Sequence, residues 1–373
     1  MTSGERDGLL QSVATKIADY RLGEIAPVTE AHVDRWLVQF PVDAQLTILK
    51  EISRVVDKFY VSRATVDDFM EQFFNSSELF GENVSEGIRR FQFLDIQRNG
   101  KSQKDLLVVA ETTLSRRDIK LAECGLDPSS YIYLDDGLFS GNTAFHDIEA
   151  WLPNCKVGAT LHLVFIGVCQ GGVRYLRNRL NPLLTPRRIS LKIWKALDVQ
   201  NDSWDTSTWD CFWPPDSGSD PQVDSYVQSV VERCEGKSFR PRLFRPVGTP
   251  REETLFSSSE NRAIVERAFL SAGTFIVSLP EEPNLRMRPL GYEYLESLGF
   301  GAPLITYRNI ANNCPLALWW GDPQAPSSHP LSQWYPLFPR RTNEPRVPVI
   351  RIGQPMTMPQ QVVDESDLED LPF

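Results

Sequence analysis

The sequence predicts an α/β fold: a Rossmann-like parallel sheet flanked by a helical N-terminal region and an α+β C-terminal part. Three patterns carry this. Between about residues 81 and 215, short apolar runs alternate with helix-periodic stretches, the signature of a parallel sheet covered on both faces. Before residue 80, apolar residues recur at helical spacing. After residue 216, helical patterns give way to a segment rich in proline and aromatics.

Taken in order, residues 1–80 read as helical. Leu46, Leu49, Ile52, Val55, Val56 and Phe59 fall on one helix face, and Pro41 is expected at that helix's start. ATVDDFMEQFF reads as another helix. In 81–215, FQFLDIQ (91–97) reads as a strand and NGK as a turn. SQKDLLVVAETTLSRRDIKLAE reads as a helix capped by Ser102, and YIYLDD as a strand with Asp135 and Asp136 at its carboxyl end. NTAFHDIEAWL is a helix, VGATLHLVFIGV a strand, GGVRYLRNRL a helix and RISLKIWKAL a strand. PPDSGSDPQ marks a boundary loop opening the 216–353 subdomain. There SYVQSVVERC and ENRAIVERAFLSAG read as helices and TFIVSLP as a strand. Residues 354–373 form an acidic tail, expected to be flexible.

Composition narrows the classes. The chain has 373 residues, 41% of them hydrophobic, and a net charge of -10. That supplies a core and disfavours non-specific binding to nucleic acid or anionic lipid. The longest strongly apolar run, residues 161–169, is too short to cross a bilayer as a helix. No C-x-x-C pair occurs among the six cysteines, and the four histidines are dispersed, which argues against a structural zinc site. The expectation is a soluble, reduced, cytoplasmic protein.

The chemistry concentrates in YIYLDDGLFSGNT, residues 131–143. Ligands bind at the carboxyl edge of an open parallel sheet, and this strand delivers Asp135 and Asp136 there. Gly137 follows, then a turn into a helix. A helix N-terminus attracts phosphate. Gly141 permits a backbone shape in which several amides face one anion, and Ser140 and Thr143 add hydroxyls. Carboxylates accept sugar hydroxyls or help hold magnesium. A ribose 5-phosphate suits both halves. The plain alternative is a strand–turn–helix junction with two solvated aspartates. A haloacid-dehalogenase-type nucleophile motif needs Asp-x-Asp, and Leu134 and Gly137 occupy the positions it would require.

This stretch resembles the signature of type I phosphoribosyltransferases: four mainly apolar residues, two acids, then a small-residue loop ending in Gly-x-Thr. The resemblance implies a sheet of phosphoribosyltransferase type. It assigns Asp135 and Asp136 to the ribose hydroxyls of 5-phosphoribosyl-1-diphosphate and to Mg2+, and the loop Ser140, Gly141, Asn142 and Thr143 to the 5′-phosphate. Upstream, NGKSQ (99–103) lacks the first glycine of a Walker A loop, because Asp95 stands there. In the family an earlier turn on the same edge binds pyrophosphate, so Lys101 becomes a counter-charge and Ser102 a donor. The bland reading is a helix cap with an exposed lysine.

Two departures qualify the resemblance. Phe139 stands where purine-salvage members place an acid. The stretch from Lys101 to Leu134 is mostly one helix, leaving little room for a long closing loop. Trp204, Trp209, Phe212 and Trp213 read either as a hood over the base or as a satellite hydrophobic cluster. RPLGY (288–292), YRNIANNCPLALWWG (307–321) and WYPLFPRR (334–341), with WLVQF and GKSQ, are similar to phosphoribosyltransferase-like proteins of bacterial conflict and antiphage systems, some retron-associated. That similarity implies an effector with protein or ribonucleoprotein partners and no membrane association. Asn312, Asn313, Trp319 and Trp320 with Arg308 read as a recognition surface or as a pinned subdomain, and Arg340 and Arg341 as a grip on an acidic partner or as solvated charges. Three functions stay open: a phosphoribosyltransferase with an unknown acceptor, a non-catalytic sensor of a nucleotide or ribose phosphate, and an interaction scaffold.

Overall fold

The computed structural model describes residues 3–340 apart from Asn99, Asp127, Ser203, Trp204, Thr206, Phe239, Arg240 and Leu285. Trp204, Arg341 and the 354–373 tail therefore lie outside the described residues.

The N-terminal region comprises α1 (Ser3–Lys16), α2 (Glu30–Leu37), α3 (Gln45–Phe59), the short strand β1 (Tyr60–Val61), α4 (Arg63–Phe74), α5 (Ser77–Phe80) and α6 (Val84–Arg89). Five of the six periodic residues of α3, Leu49, Ile52, Val55, Val56 and Phe59, lie on its buried face, joined by Ile48, whereas Leu46 is half-buried. Pro41 does not open that helix. Its carbonyl accepts the Ala44 and Gln45 N–H groups in a preceding turn. The region is also not purely helical, because β1 pairs in parallel with a strand from the far end of the chain.

The central sheet follows: β2 (Phe91–Phe93), α7 (Ser102–Ser115), β3 (Ser130–Leu138), α8 (Asn142–Trp151), β4 (Thr160–Cys169), α9 (Gln170–Leu184) and β5 (Ser190–Val199). The strands lie in the order β2-β3-β4-β5, every pair parallel. This is the α/β sheet with flanking helices that the alternating pattern implies. Side-chain alternation divides its two faces. Ile132, Leu134, Val164 and Ile166 join α7 and the N-terminal helices in one core cluster. Tyr131, Tyr133, Leu163 and Phe165 join α8 and α9 in another.

Several boundaries differ from the sequence reading. The helix expected over 102–123 ends at Ser115, with only a 3-10 turn at Leu121–Glu123 before β3, so the stretch from Lys101 to Leu134 is less filled by helix than expected. The strand expected over 91–97 stops at Phe93, because the Ile96 and Gln97 N–H groups both donate to Oε1 of buried Gln103, at 2.6 and 2.9 Å. Those amides are thereby withdrawn from the ladder. β3 runs past the acid pair to Leu138, with Gly137 opposite Gly167 of β4.

The rest comprises α10 (Pro221–Arg233), α11 (Ser259–Ser278), β6 (Ile305–Thr306), β7 (Asn309–Ile310) and α12 (Leu316–Trp319). TFIVSLP is not a strand: its first five residues complete α11. Packing overrides the β-branched composition here. A Cβ at Gly273 would lie 2.4 Å from the Pro289 carbonyl oxygen, so the helix runs hard against that segment. The Thr274 hydroxyl is satisfied by the Ser271 carbonyl at 2.8 Å, and Ile276 is fully buried. Trp36 of α2 and Trp334 both donate their indole N–H to the Ala317 carbonyl, at 2.8 and 3.0 Å. The two ends of the described chain are thus pinned together. No helix of the described residues is long and apolar enough to cross a membrane.

Candidate functional site

Consecutive residues of a strand point to opposite faces, and the acid pair obeys this. Asp135 turns to the α8 side. Its Oδ1 accepts the Asp136 backbone N–H at 2.8 Å. Its Oδ2 lies 3.4 Å from the Tyr133 hydroxyl and 3.5 Å from Gln97 Nε2. Tyr133 also donates to Asp147 of α8 at 3.2 Å, and Asp147 accepts the Arg98 N–H at 3.0 Å. Asp136 turns to the α7 side. There Arg308, on the two-residue turn between β6 and β7, reaches it at 3.1 Å and pairs through a second nitrogen with Asp105 of α7. The expectation of two carboxylates presented together to one sugar is corrected accordingly. Asp136 is the more open of the two, and Asp135 is buried beneath it.

Burial raises the carboxyl pKa of both residues. For Asp135 the negative charge of Asp136 adds to the effect, whereas for Asp136 the Arg308 guanidinium opposes it. Asp147 is likewise raised by burial, partly offset by the Arg98 amide and the Tyr133 hydroxyl.

The loop after β3 has the conformation its sequence predicts. Gly141 sits in the left-handed region at φ +84° and is the N-cap residue of α8, with no side-chain bond from the cap itself. The loop rests on α9 at a contact only glycines allow: a Cβ on Gly172 would fall 1.8 Å from the Phe139 carbonyl oxygen. The Ser140 hydroxyl accepts the Asn142 N–H at 3.4 Å, and Asn142 Oδ1 accepts the Tyr175 hydroxyl at 3.0 Å. Thr143 is exposed. Phe139 packs against Phe300 with ring centroids 6.3 Å apart.

The upstream turn also reaches this rim. Ser102 is the first residue of α7 rather than its cap, a position held by Lys101. Its hydroxyl accepts Gln97 Nε2 at 2.8 Å, the same nitrogen that faces Asp135. Lys101 is exposed. Gln97, Gln103, Tyr133, Asp147, Asp105 and the placement of Arg308 escaped the sequence reading. Tyr133 and Asp135 share a strand face and were open to notice. Arg308 gave no local signal, standing 172 residues from Asp136.

Magnesium bound directly by protein asks for several oxygen ligands in near-octahedral array. The oxygens of Asp135 already take three donors, and Asp136 is ion-paired. Among the described residues no group of three or more His, Cys, Asp or Glu is placed to hold a metal. The pair as arranged does not fit direct coordination.

The aromatic candidates are structural. Phe212 stacks on Phe269 of α11, and Trp213 donates its indole N–H to the Leu243 carbonyl. With Trp209 they form a satellite cluster rather than a hood. Trp319 and Trp320 are buried and Arg340 lies over the Trp319 ring, so the two tryptophans serve packing, whereas Asn312, Asn313 and Arg308 are half-buried.

A parallel sheet with flanking helices, bearing an acid pair and a glycine-capped loop at the carboxyl end of one strand, is the architecture of a phosphoribosyltransferase-like α/β protein. The chain belongs to the PRTase-CE family, whose model matches residues 33–340. No curated protein and no solved structure matches it.

Proposed function

We propose that the rim binds 5-phosphoribosyl-1-diphosphate or a related ribose phosphate. The observation that carries this reading is the left-handed Gly141 cap of α8, three residues after Leu138 ends the strand that carries the acid pair. On this reading the α8 amides and Thr143 hold the 5′-phosphate, Asp136 accepts ribose hydroxyls, and Asp135 positions Asp136 through the amide it holds. Lys101 and Ser102 face the diphosphate. Magnesium enters with the diphosphate rather than through a site built by the protein. In turnover an acceptor nucleophile bonds to the anomeric carbon as the bond to pyrophosphate breaks, and the phosphate grip supplies remote binding energy.

A second reading, sensing without turnover, is favoured by one observation: Arg308 already pairs with Asp136. The resemblance to conflict-system proteins supports an effector role in either case, with protein or ribonucleoprotein partners. The test is calorimetric titration of 5-phosphoribosyl-1-diphosphate, with magnesium and with EDTA, on wild type and Asp135→Asn/Asp136→Asn. Binding at least tenfold weaker in the double variant supports the site, and unchanged binding rejects it. Pyrophosphate release with candidate acceptors separates enzyme from sensor.

A further inference from the structure

A second concavity adjoins the acid pair through one shared side chain. Arg308, which pairs with Asp136, also lines a cleft of about 490 Å3 together with Arg21, Arg63, Tyr307, Val108 and Leu22. That volume is in the range of small-molecule sites. Its lining includes two strongly exposed apolar side chains, Leu22 at 72% and Val108 at 65%. Beside them the Arg63 guanidinium stands 5.6 Å from the centre of the Tyr307 ring. A flat ring entering here covers apolar surface and meets both an aromatic face and a cation.

The polar complement points to an acceptor-rich ligand. Each guanidinium carries five N–H donors. Arg21 gives hydrogen bonds to Glu24 and the Pro339 carbonyl, Arg63 to Asp67, and Arg308 to Asp105 and Asp136. Donors therefore exceed the acceptors they meet among the described residues. The three lining acids are engaged in turn: Asp19 accepts the Tyr60 hydroxyl and the Arg63 backbone N–H, Glu24 pairs with Arg21, and Asp105 is held by Arg308.

We propose that this cleft is a second ligand site for an aromatic anion of nucleoside monophosphate size, and that Arg308 couples it to the acid pair. The coupling, though not the site, rests on the function proposed above. An anion that takes Arg308 draws it from Asp136 and frees that carboxylate for ribose hydroxyls. Binding at the two sites is then mutually reinforcing, by the same factor in each direction.

The experiment titrates AMP, GMP, CMP and UMP singly into the full chain by calorimetry. At least one is expected to bind. Its affinity is expected to fall at least tenfold in Arg63→Ala/Tyr307→Leu and not to fall in Asp135→Asn/Asp136→Asn, where the loss of the competing Asp136 charge leaves Arg308 to the ligand. Should the first variant fail to fold, Val108→Glu replaces it, since that exposed position obstructs the cleft from the surface of α7. No binding by any of the four overturns the site. Loss of binding only in the acid variant places the nucleotide on the rim, which overturns the cleft and leaves the proposed function standing. A saturating nucleotide is further expected to tighten 5-phosphoribosyl-1-diphosphate binding at least fivefold in wild type and not in Arg308→Met. An unchanged affinity in wild type overturns the coupling. Nucleotide binding in the cleft with no ribose phosphate binding anywhere rejects the proposed function and keeps the site.

Discussion

Replacing Arg308 by methionine removes the cation that two carboxylates share. Arg308's side chain is 14% exposed, against 23% for Asp136 and 39% for Asp105. Stripping the partner from a fully buried charge costs about 3–5 kcal/mol, whereas exposed pairs contribute about 0–1 kcal/mol. With Asp136 mostly buried and Asp105 free to turn to water, about 2 kcal/mol is the expected loss at pH 7, within those bounds. The pH dependence follows from the same charges. Burial already raises the Asp136 carboxyl and Arg308 pulls it down, so Arg308→Met raises it further. A carboxyl raised in the native state binds protons that the unfolded chain has released. The variant therefore recovers stability as pH falls from neutral towards 4. Urea unfolding at pH 5 and pH 7.5 reads this directly, with the m-value checked for constancy. A double-mutant cycle with Asp136→Asn isolates the pair, and the second substitution is expected to restore at least about half of the loss. A cost below about 0.5 kcal/mol, or one indifferent to pH, refutes the reasoning.

Other outcomes follow from the same geometry. Asp135 is raised by burial and by Asp136, so its contribution to stability is greatest near pH 4 and declines as pH rises through neutrality. Asp135→Asn abolishes that slope, and its Tm is expected to gain on wild type between pH 5 and pH 8. Gly172→Ala drives a Cβ into the Phe139 carbonyl. It is expected to cost about 2–3 kcal/mol by denaturant unfolding and to weaken ribose phosphate binding, because the loop rests on that contact. Arg262 is fully buried between Glu253 and Glu266. Arg262→Met is expected to cost about 3–5 kcal/mol in the same assay, by leaving Glu266 buried with less cationic support.

What was legible in the chain was local. Alternating apolar runs marked β3, β4 and β5, and helical spacing marked α3, α7, α8 and α9. DDGLFSGNT announced a rim loop, since glycine and small hydroxyl residues have few other reasons to follow a doubled acid. What failed depended on partners distant in sequence. α11 absorbed a β-branched segment because Pro289 and the core hold it helical. β2 was cut short by the side chain of Gln103. The divergence of Asp135 and Asp136 follows from the two-residue period of any strand and was available from the sequence. Their partners were not, because Arg308 arrives from a hairpin, distant in sequence, that pairs with β1.

That pairing bears on how the protein can be dissected. β6 finds its parallel neighbour in β1, Tyr307 gives its N–H to the Val61 carbonyl at 2.8 Å, and Arg21 gives its N–H to Tyr307. The hairpin is built jointly by segments from opposite ends of the polypeptide. An excised fragment holding only the central sheet would keep the acids and the loop, yet would lose Arg308 and bare the Ile132, Leu134, Val164 and Ile166 face to water. Minimal expression units therefore have to retain both flanks, however modular the linear sequence looks.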